Sequence, residues 1–197
     1  MNRLSFVAWL LVLAFNPPPV EAAAGSKHLV VLSNSEGLSE SNERQEVYPA
    51  EVVSILRYEG DRVWVQRLKD QASIYQFPES EWHIRLKPIW LPRSVVVSPA
   101  EFAKVPKWHA YEVLNFNNGP DAGGRFVIRK NGAFTYSDHR GNAIDDPPPR
   151  SWRGHLYRKG SIIWARRYGS GDVVGPYRML HLHEGELCMP GVGCLSS

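Results

Sequence analysis

Residues 51–68 read EVVSILRYEGDRVWVQRL. Glu51–Arg57 is a short β-type run, and Glu59-Gly60-Asp61 supplies a turn. Arg62–Leu68 then alternates, with Val63, Val65 and Arg67 on one face and Arg62, Trp64, Gln66 and Leu68 on the other. Two such runs around a glycine turn predict an antiparallel hairpin. The same texture recurs along most of the chain, and helical periodicity is scarce.

Towards the N-terminus, Leu29–Leu32 reads as a strand. Residues 33–46 (SNSEGLSESNERQE) are polar and acidic without apolar period, which predicts a long loop or arm. Beyond the central hairpin, Ile74–Phe77 and Trp82–Leu86 read as two more β-type runs. Pro88 and Pro92 around Ile89-Trp90-Leu91 read as a linker packed on a surface. The chain resumes with Val95-Val96-Val97 and one helical turn at Pro99–Ala103 capped by Ser98. Tyr111–Phe116, Arg125–Lys130 and Ala133–Ser137 are strand-like. Asn131-Gly132 predicts a hairpin in which both turn residues take positive φ. Asp145–Arg150 (DDPPPR) is a stiff loop. Lys159-Gly160 and Glu184-Gly185 predict two further hairpins, in His155–Tyr168 and Tyr177–Cys188.

The first residues read as an address. Met1-Asn2-Arg3 is basic, and Leu4–Phe15 is an apolar run of about a dozen residues, short of the ~20 that span a bilayer. Pro17-Pro18-Pro19 follows, and then small residues with cleavage pairs at Val20/Ala22 or Ala22/Ala24. This predicts a secretory signal peptide over 1–22 and an exported chain, periplasmic or secreted, with no membrane span. Cys188 and Cys194, separated by Met-Pro-Gly-Val-Gly, then predict a disulfide.

The 197 residues carry 23 Lys and Arg against 20 Asp and Glu. A net charge of +3 is too small to point to nucleic acid. The charge is uneven: residues 23–92 hold eight basic and ten acidic groups, and residues 93–197 hold fourteen and nine. The expected organisation is therefore mainly β. An N-terminal strand and polar arm at 23–46 lead into a small β-barrel at 47–92, with residues 29–32 as its first strand. A basic antiparallel β domain at 93–197 ends in the disulfide loop.

Strand order over 28–86, the long polar segment after the first strand, and Phe77-Pro78-Glu79-Ser80-Glu81-Trp82 together resemble a Src-homology-type small β-barrel. That segment is similar to the Pro-led helical turn that closes those barrels. Tyr48–Val52 through Gly60–Val65 also resembles Tudor-type barrels. The resemblance implies a small barrel and the general idea of a binding module. The acidic-aromatic strand of proline-peptide binders is missing from 28–34.

Two constellations carry candidate chemistry. The first is basic and aromatic: Trp152 and Arg153, with Trp164, Arg166 and Tyr168 along one strand face. Arginine beside aromatic rings holds anionic sugars or phosphates by ion pairing and stacking. The second is His181-Leu182-His183-Glu184-Gly185-Glu186. Two imidazoles two residues apart share a strand face, and Glu186 returns across the turn as a third metal ligand. With Gly175 before it and Gly193 after it, this stretch resembles the first cupin motif. It is one residue short between His183 and Glu186, and no second motif follows. Serine-hydrolase, zinc-protease and phosphate-loop motifs are absent, and a Cys188–Cys194 disulfide leaves no thiol nucleophile.

Three readings stay open. One is an exported non-enzymatic binding module for an envelope polymer, an anionic glycan or a protein partner, with no cofactor. The second is a cupin-like enzyme with a divalent metal at His181, His183 and Glu186. The third is a secreted structural or effector protein.

Overall fold

The computed structural model describes residues 27–117, 122–140, 150–174, 178–191 and 193–195. The leader expected at 1–22, and all but the last residue of the stiff loop at 145–150, lie outside them. The chain is mainly β, in two antiparallel sheets, the first curled into a half-barrel.

The Glu51–Leu68 stretch forms the centre of the first sheet. Strands β1 (His28–Val31), β2 (Ser35–Leu38), β3 (Arg44–Val47), β4 (Val52–Glu59), β5 (Arg62–Arg67), β6 (Ile89–Pro92) and β7 (Val96–Val97) assemble in the order β3-β2-β6-β5-β4-β1-β7. Gly60 turns the β4–β5 hairpin with φ +58°. A bulge between Ile55 and Arg57 re-aims the outer half of β4. Leu29, Val31, Val53, Val63, Val65, Ile89 and Leu91 fill the concave side.

Three local expectations are corrected. The polar segment 33–46 is a hairpin, β2 and β3, joined to β6 through Leu38 and Trp90. Its inward positions are Gly37, Gln45 and Val47. A Cβ at Gly37 would lie 2.5 Å from the Ile89 side chain, and Gln45 Nε2 donates to the Ile84 carbonyl. The runs at 74–77 and 82–86 are helical turns rather than strands: a 3-10 turn at Ala72–Gln76, a second at Glu79–Glu81 led by Pro78, and α1 (Trp82–Arg85). Runs of four or five residues cannot separate one helical turn from a strand by period. The expected linker supplies β6, paired with β5 at Trp64–Trp90. The Ser98-capped turn stands at Pro99–Glu101, with a full capping box to Glu101.

The second sheet is a meander of β9 (Glu112–Asn117), β10 (Ala122–Ile128), β11 (Ala133–Arg140), β12 (Arg150–Lys159), β13 (Ile162–Arg167), β14 (Met179–His183), β15 (Glu186–Met189) and β16 (Gly193–Cys194). A short strand β8 (Ala103–Lys104) adds to β12. At Asn131-Gly132 only Gly132 takes positive φ. It follows a turn closed by its own N–H on the Arg129 carbonyl, a three-residue loop instead of the two-residue one expected. Both turn residues take positive φ at Glu184-Gly185 instead.

The sheets share a core. Ile163 and Ala165 of β13 face one cluster with Phe126, Phe134, Tyr136, Leu156 and Leu187. Ile162 and Trp164, on its other face, join Val30, Val52 and Val97 of the first sheet together with Phe102, Val173 and Met179. Strands β1 and β13 are thus buried on both faces, which is why Leu29–Leu32 and Ile162–Ala165 are continuous apolar runs rather than alternating ones.

Beneath this seam Arg67 lies on the apolar face that the β5 alternation assigns to it. Glu51 answers it: Arg67 Nη2 and Nε donate to the two carboxylate oxygens at 2.8 and 3.1 Å, with both side chains buried. Tyr48 N–H donates to the same carboxylate at 2.9 Å.

Candidate functional site

Register on the β12–β13 hairpin decides which candidate residues meet. Gly160 takes φ +59° in a two-residue loop, so Lys159 pairs with Ile162, Tyr157 with Trp164 and His155 with Arg166. One step further, Tyr168 N–H donates to the Arg153 carbonyl. Arg153, His155 and Tyr157 therefore share a face with Trp164, Arg166 and Tyr168. Trp152 is on the opposite face, packed on the inner core with its ring 5.7 Å from Tyr136. The structure brings Arg153, Trp164, Arg166 and Tyr168 together and sends Trp152 away.

Along that face, exposure rises residue by residue. Ile162 is fully buried and Trp164 is 4% exposed, Arg166 is half-buried, and Tyr168 is 59% exposed. The Arg166 guanidinium lies 5.1 Å from the Trp164 ring centre and 5.7 Å from that of Tyr157. Its Nε donates to the Ser170 carbonyl at 3.1 Å, which fixes its direction. No carboxylate pairs with it among the described residues; Asp172 lines the same cleft without reaching it. A guanidinium held by stacking and one backbone bond keeps its terminal nitrogens for an anion. The Trp164 indole N–H is buried and meets no acceptor among the described residues. His155 is structural: its Nε2 is 2.7 Å from the Val105 carbonyl, in a buried position.

Two depressions flank Arg166. One, of about 470 Å³, runs between the sheets, with Lys27, His28 and Pro99 on one side and Trp164, Val173 and Val174 on the other. The second, of about 440 Å³, is walled by Tyr157, Arg167, Tyr168 and Ser170. Sequence reasoning did not reach Lys27, His28, Pro99 or the 171–174 loop, because nothing local in the sequence says which segments pack across the seam.

On the His181–Glu186 hairpin the imidazoles of His181 and His183 share a face, with ring centres 6.2 Å apart, and Glu186 pairs across from His183. Burial pushes the His181 pKa down, and the neighbouring His183 adds to that; the His181 Nδ1 is buried and meets no partner among the described residues. His183 lies 4.0 Å from the Glu184 carboxylate. Among the described residues no three His, Cys, Asp or Glu are placed to hold a metal ion. The expected metal triad is therefore two neighbouring imidazoles and a carboxylate that do not close on one point.

Cys188 and Cys194 are joined in a disulfide, directly opposite one another on β15 and β16. The ring is seated on the first sheet's side of the molecule. A Cβ at Gly191 would lie 2.9 Å from the Ser73 Cα and 3.1 Å from Gln76. Nearby, Arg178 Nη1 donates to the Asp70 carbonyl at 3.1 Å. The loop is a clamp on residues 70–76 rather than a projecting finger.

A second set of cation–aromatic contacts went unread in the sequence. Trp90 stands 5.0 Å from Trp64 and is covered by Arg57 and Arg62 at 5.1 and 5.2 Å. The β5–β6 pairing sets Trp90 beside Trp64, and the β4–β5 pairing brings Arg57 to the same face. No helix among the described residues is long and apolar enough to cross a membrane. Comparison of the chain with protein-family models, curated proteins and solved structures finds no match.

Proposed function

We propose that the chain is an exported binding module that takes an anionic glycan of the cell envelope in the cleft at Arg166. The observation that carries this reading is the half-buried Arg166 guanidinium, stacked on Trp164 and Tyr157 and unpaired with any described carboxylate. Such a group is preorganised for a carboxylate or sulfate, and the exposed Tyr168 ring beside it offers an apolar face to sugar C–H surfaces. The excess of basic groups in residues 93–197 supports the same sign of ligand. The apolar leader and the disulfide support export. The geometry of the His181 hairpin gives the metal-enzyme reading no comparable support.

The test is titration of the mature protein with uronate-containing and sulfated oligosaccharides, neutral oligosaccharides and an acidic peptide, followed by calorimetry and tryptophan fluorescence. Anionic glycans should bind and neutral ones should not. Arg166→Gln should weaken binding about 10- to 100-fold without changing the unfolding curve. Glycan binding indifferent to Arg166→Gln would overturn the site. Binding of the acidic peptide alone would reassign it to a protein partner.

A further inference from the structure

The two depressions share only Arg166 and Gly171. We infer that the ligand is a linear anionic oligosaccharide of at least three units, with the anionic group of an inner unit on Arg166 and its neighbours in the two lobes. This rests on the glycan reading above and specifies its ligand.

Size is the first argument. Small-ligand sites span roughly 300–1,000 Å³, so the lobes of about 470 and 440 Å³ are each a complete site for a small ligand. A single charged sugar on Arg166 would occupy one lobe and leave the other to water. Nε of Arg166 is committed to the Ser170 carbonyl on the loop that lies alongside, so the guanidinium forms the ridge between lobes and does not swing into either. A ligand that uses both must cross it, with its charge at the crossing.

The lobes also differ in chemistry, which gives the chain a direction. The first has Trp164, Val173 and Pro99 at its base, with Lys27 and Asp172 at its rim. It suits a unit that presents a C–H face or an acetyl group. The second carries the exposed Tyr168 ring with Ser170 and Arg167 beside it. It suits a unit that stacks while its hydroxyls stay wet. A pyranose chain with a charged inner unit presents stacking, charge and apolar contact in that succession.

The experiment measures affinity against chain length for one uronate series, from monosaccharide to hexasaccharide, with the mature protein and three variants. Affinity should climb by about tenfold or more between the disaccharide and the tetrasaccharide and then level off. Tyr168→Ala and Lys27→Ala, one in each lobe and both at exposed side chains, should each weaken the tetrasaccharide about five- to tenfold, while the monosaccharide, seated in one lobe, should respond to no more than one of them. Arg166→Gln should weaken every length. Equal affinity for monosaccharide and tetrasaccharide, with dependence on Arg166 retained, overturns the two-lobe assignment and leaves the anion site standing. Tyr168→Ala and Lys27→Ala without effect on the tetrasaccharide overturn it equally. Absence of binding by every length removes the anion site, and the lobes with it.

Discussion

Replacement of Arg67 by Met isolates the buried ion pair that supports the seam between the sheets. The side chains of Arg67 and Glu51 are 2% and 1% exposed, and their contacts are bidentate. Burial raises the Glu51 carboxyl above the ordinary range, and the Arg67 guanidinium and Tyr48 N–H pull it back. Without Arg67 the rise is larger. Since the parent's carboxyl is itself raised, the loss is smallest at low pH, where both proteins hold Glu51 protonated, and grows above the parent's folded pKa toward the roughly 3–5 kcal/mol that breaking a buried pair removes. The sign follows from the further rise: the variant is closest to the parent at low pH and falls behind as pH rises through the parent's folded pKa and towards its own. Urea unfolding read by tryptophan fluorescence at about pH 4.5 and about pH 7.5 measures the difference. The paired replacement Glu51→Leu with Arg67→Met leaves no buried charge, so its deficit should be smaller and insensitive to pH. A deficit for Arg67→Met below about 1 kcal/mol at about pH 7.5, or one equal at both pH values, would refute the reasoning.

Denatured, unreduced protein should show no thiol reactivity, and replacing Cys188 and Cys194 by Ser should lower stability by about 1–3 kcal/mol. Because Gly191 rests on Ser73, amide exchange in that variant should quicken at 70–76 as well as at 186–195; protection unchanged at 70–76 would count against the clamp. Gly154→Ala should destabilise by about 3 kcal/mol, since its Cβ would overlap the Arg166 carbonyl oxygen and lie 2.6 Å from the Phe134 ring; a variant with parental stability would show that β12 and β13 are spaced otherwise. Limited proteolysis should spare 35–38, set between β3 and β6, although its composition reads as a loop; a first cut there would place the hairpin wrongly.

Much of the sheet was legible because its punctuation is glycine and its period is two. Gly60, Gly132, Gly160 and Gly185 each take positive φ at a turn that the sequence marks. The failures have physical causes. In 33–46 the inward positions are Gly37 and Gln45, so a packed hairpin carries almost no apolar signal. Between 72 and 86 each segment is one turn long, and Ile74 is buried by a 3-10 turn as effectively as by a strand. The pairing of Trp152 with the Arg166 face was avoidable. A two-residue loop at Gly160-Ser161 fixes the register, and that register puts Arg153, not Trp152, beside Tyr168. The opposite wall of the cleft was beyond sequence reasoning, since Lys27 and Pro99 reach Trp164 through sheet packing alone.

The seam explains why a cleft arises where it does. One face of β13 runs from Ile162 and Trp164, locked in the shared core, to Arg166 and then Tyr168 at the surface. The alternation that builds the core therefore also delivers a guanidinium to the point where the two sheets part. Trp164 serves both roles: one side of its indole meets Phe102 in the core, edge to face at 6.1 Å, while Arg166 covers its face. A stronger hydrophobe at 166 would extend the core and close the gap between the sheets. Arginine keeps it open, because its stem packs on the rings while its charged end demands water or an anion. The cleft is thus the place where the apolar seam stops, and the residue that stops it is the one with chemistry to offer.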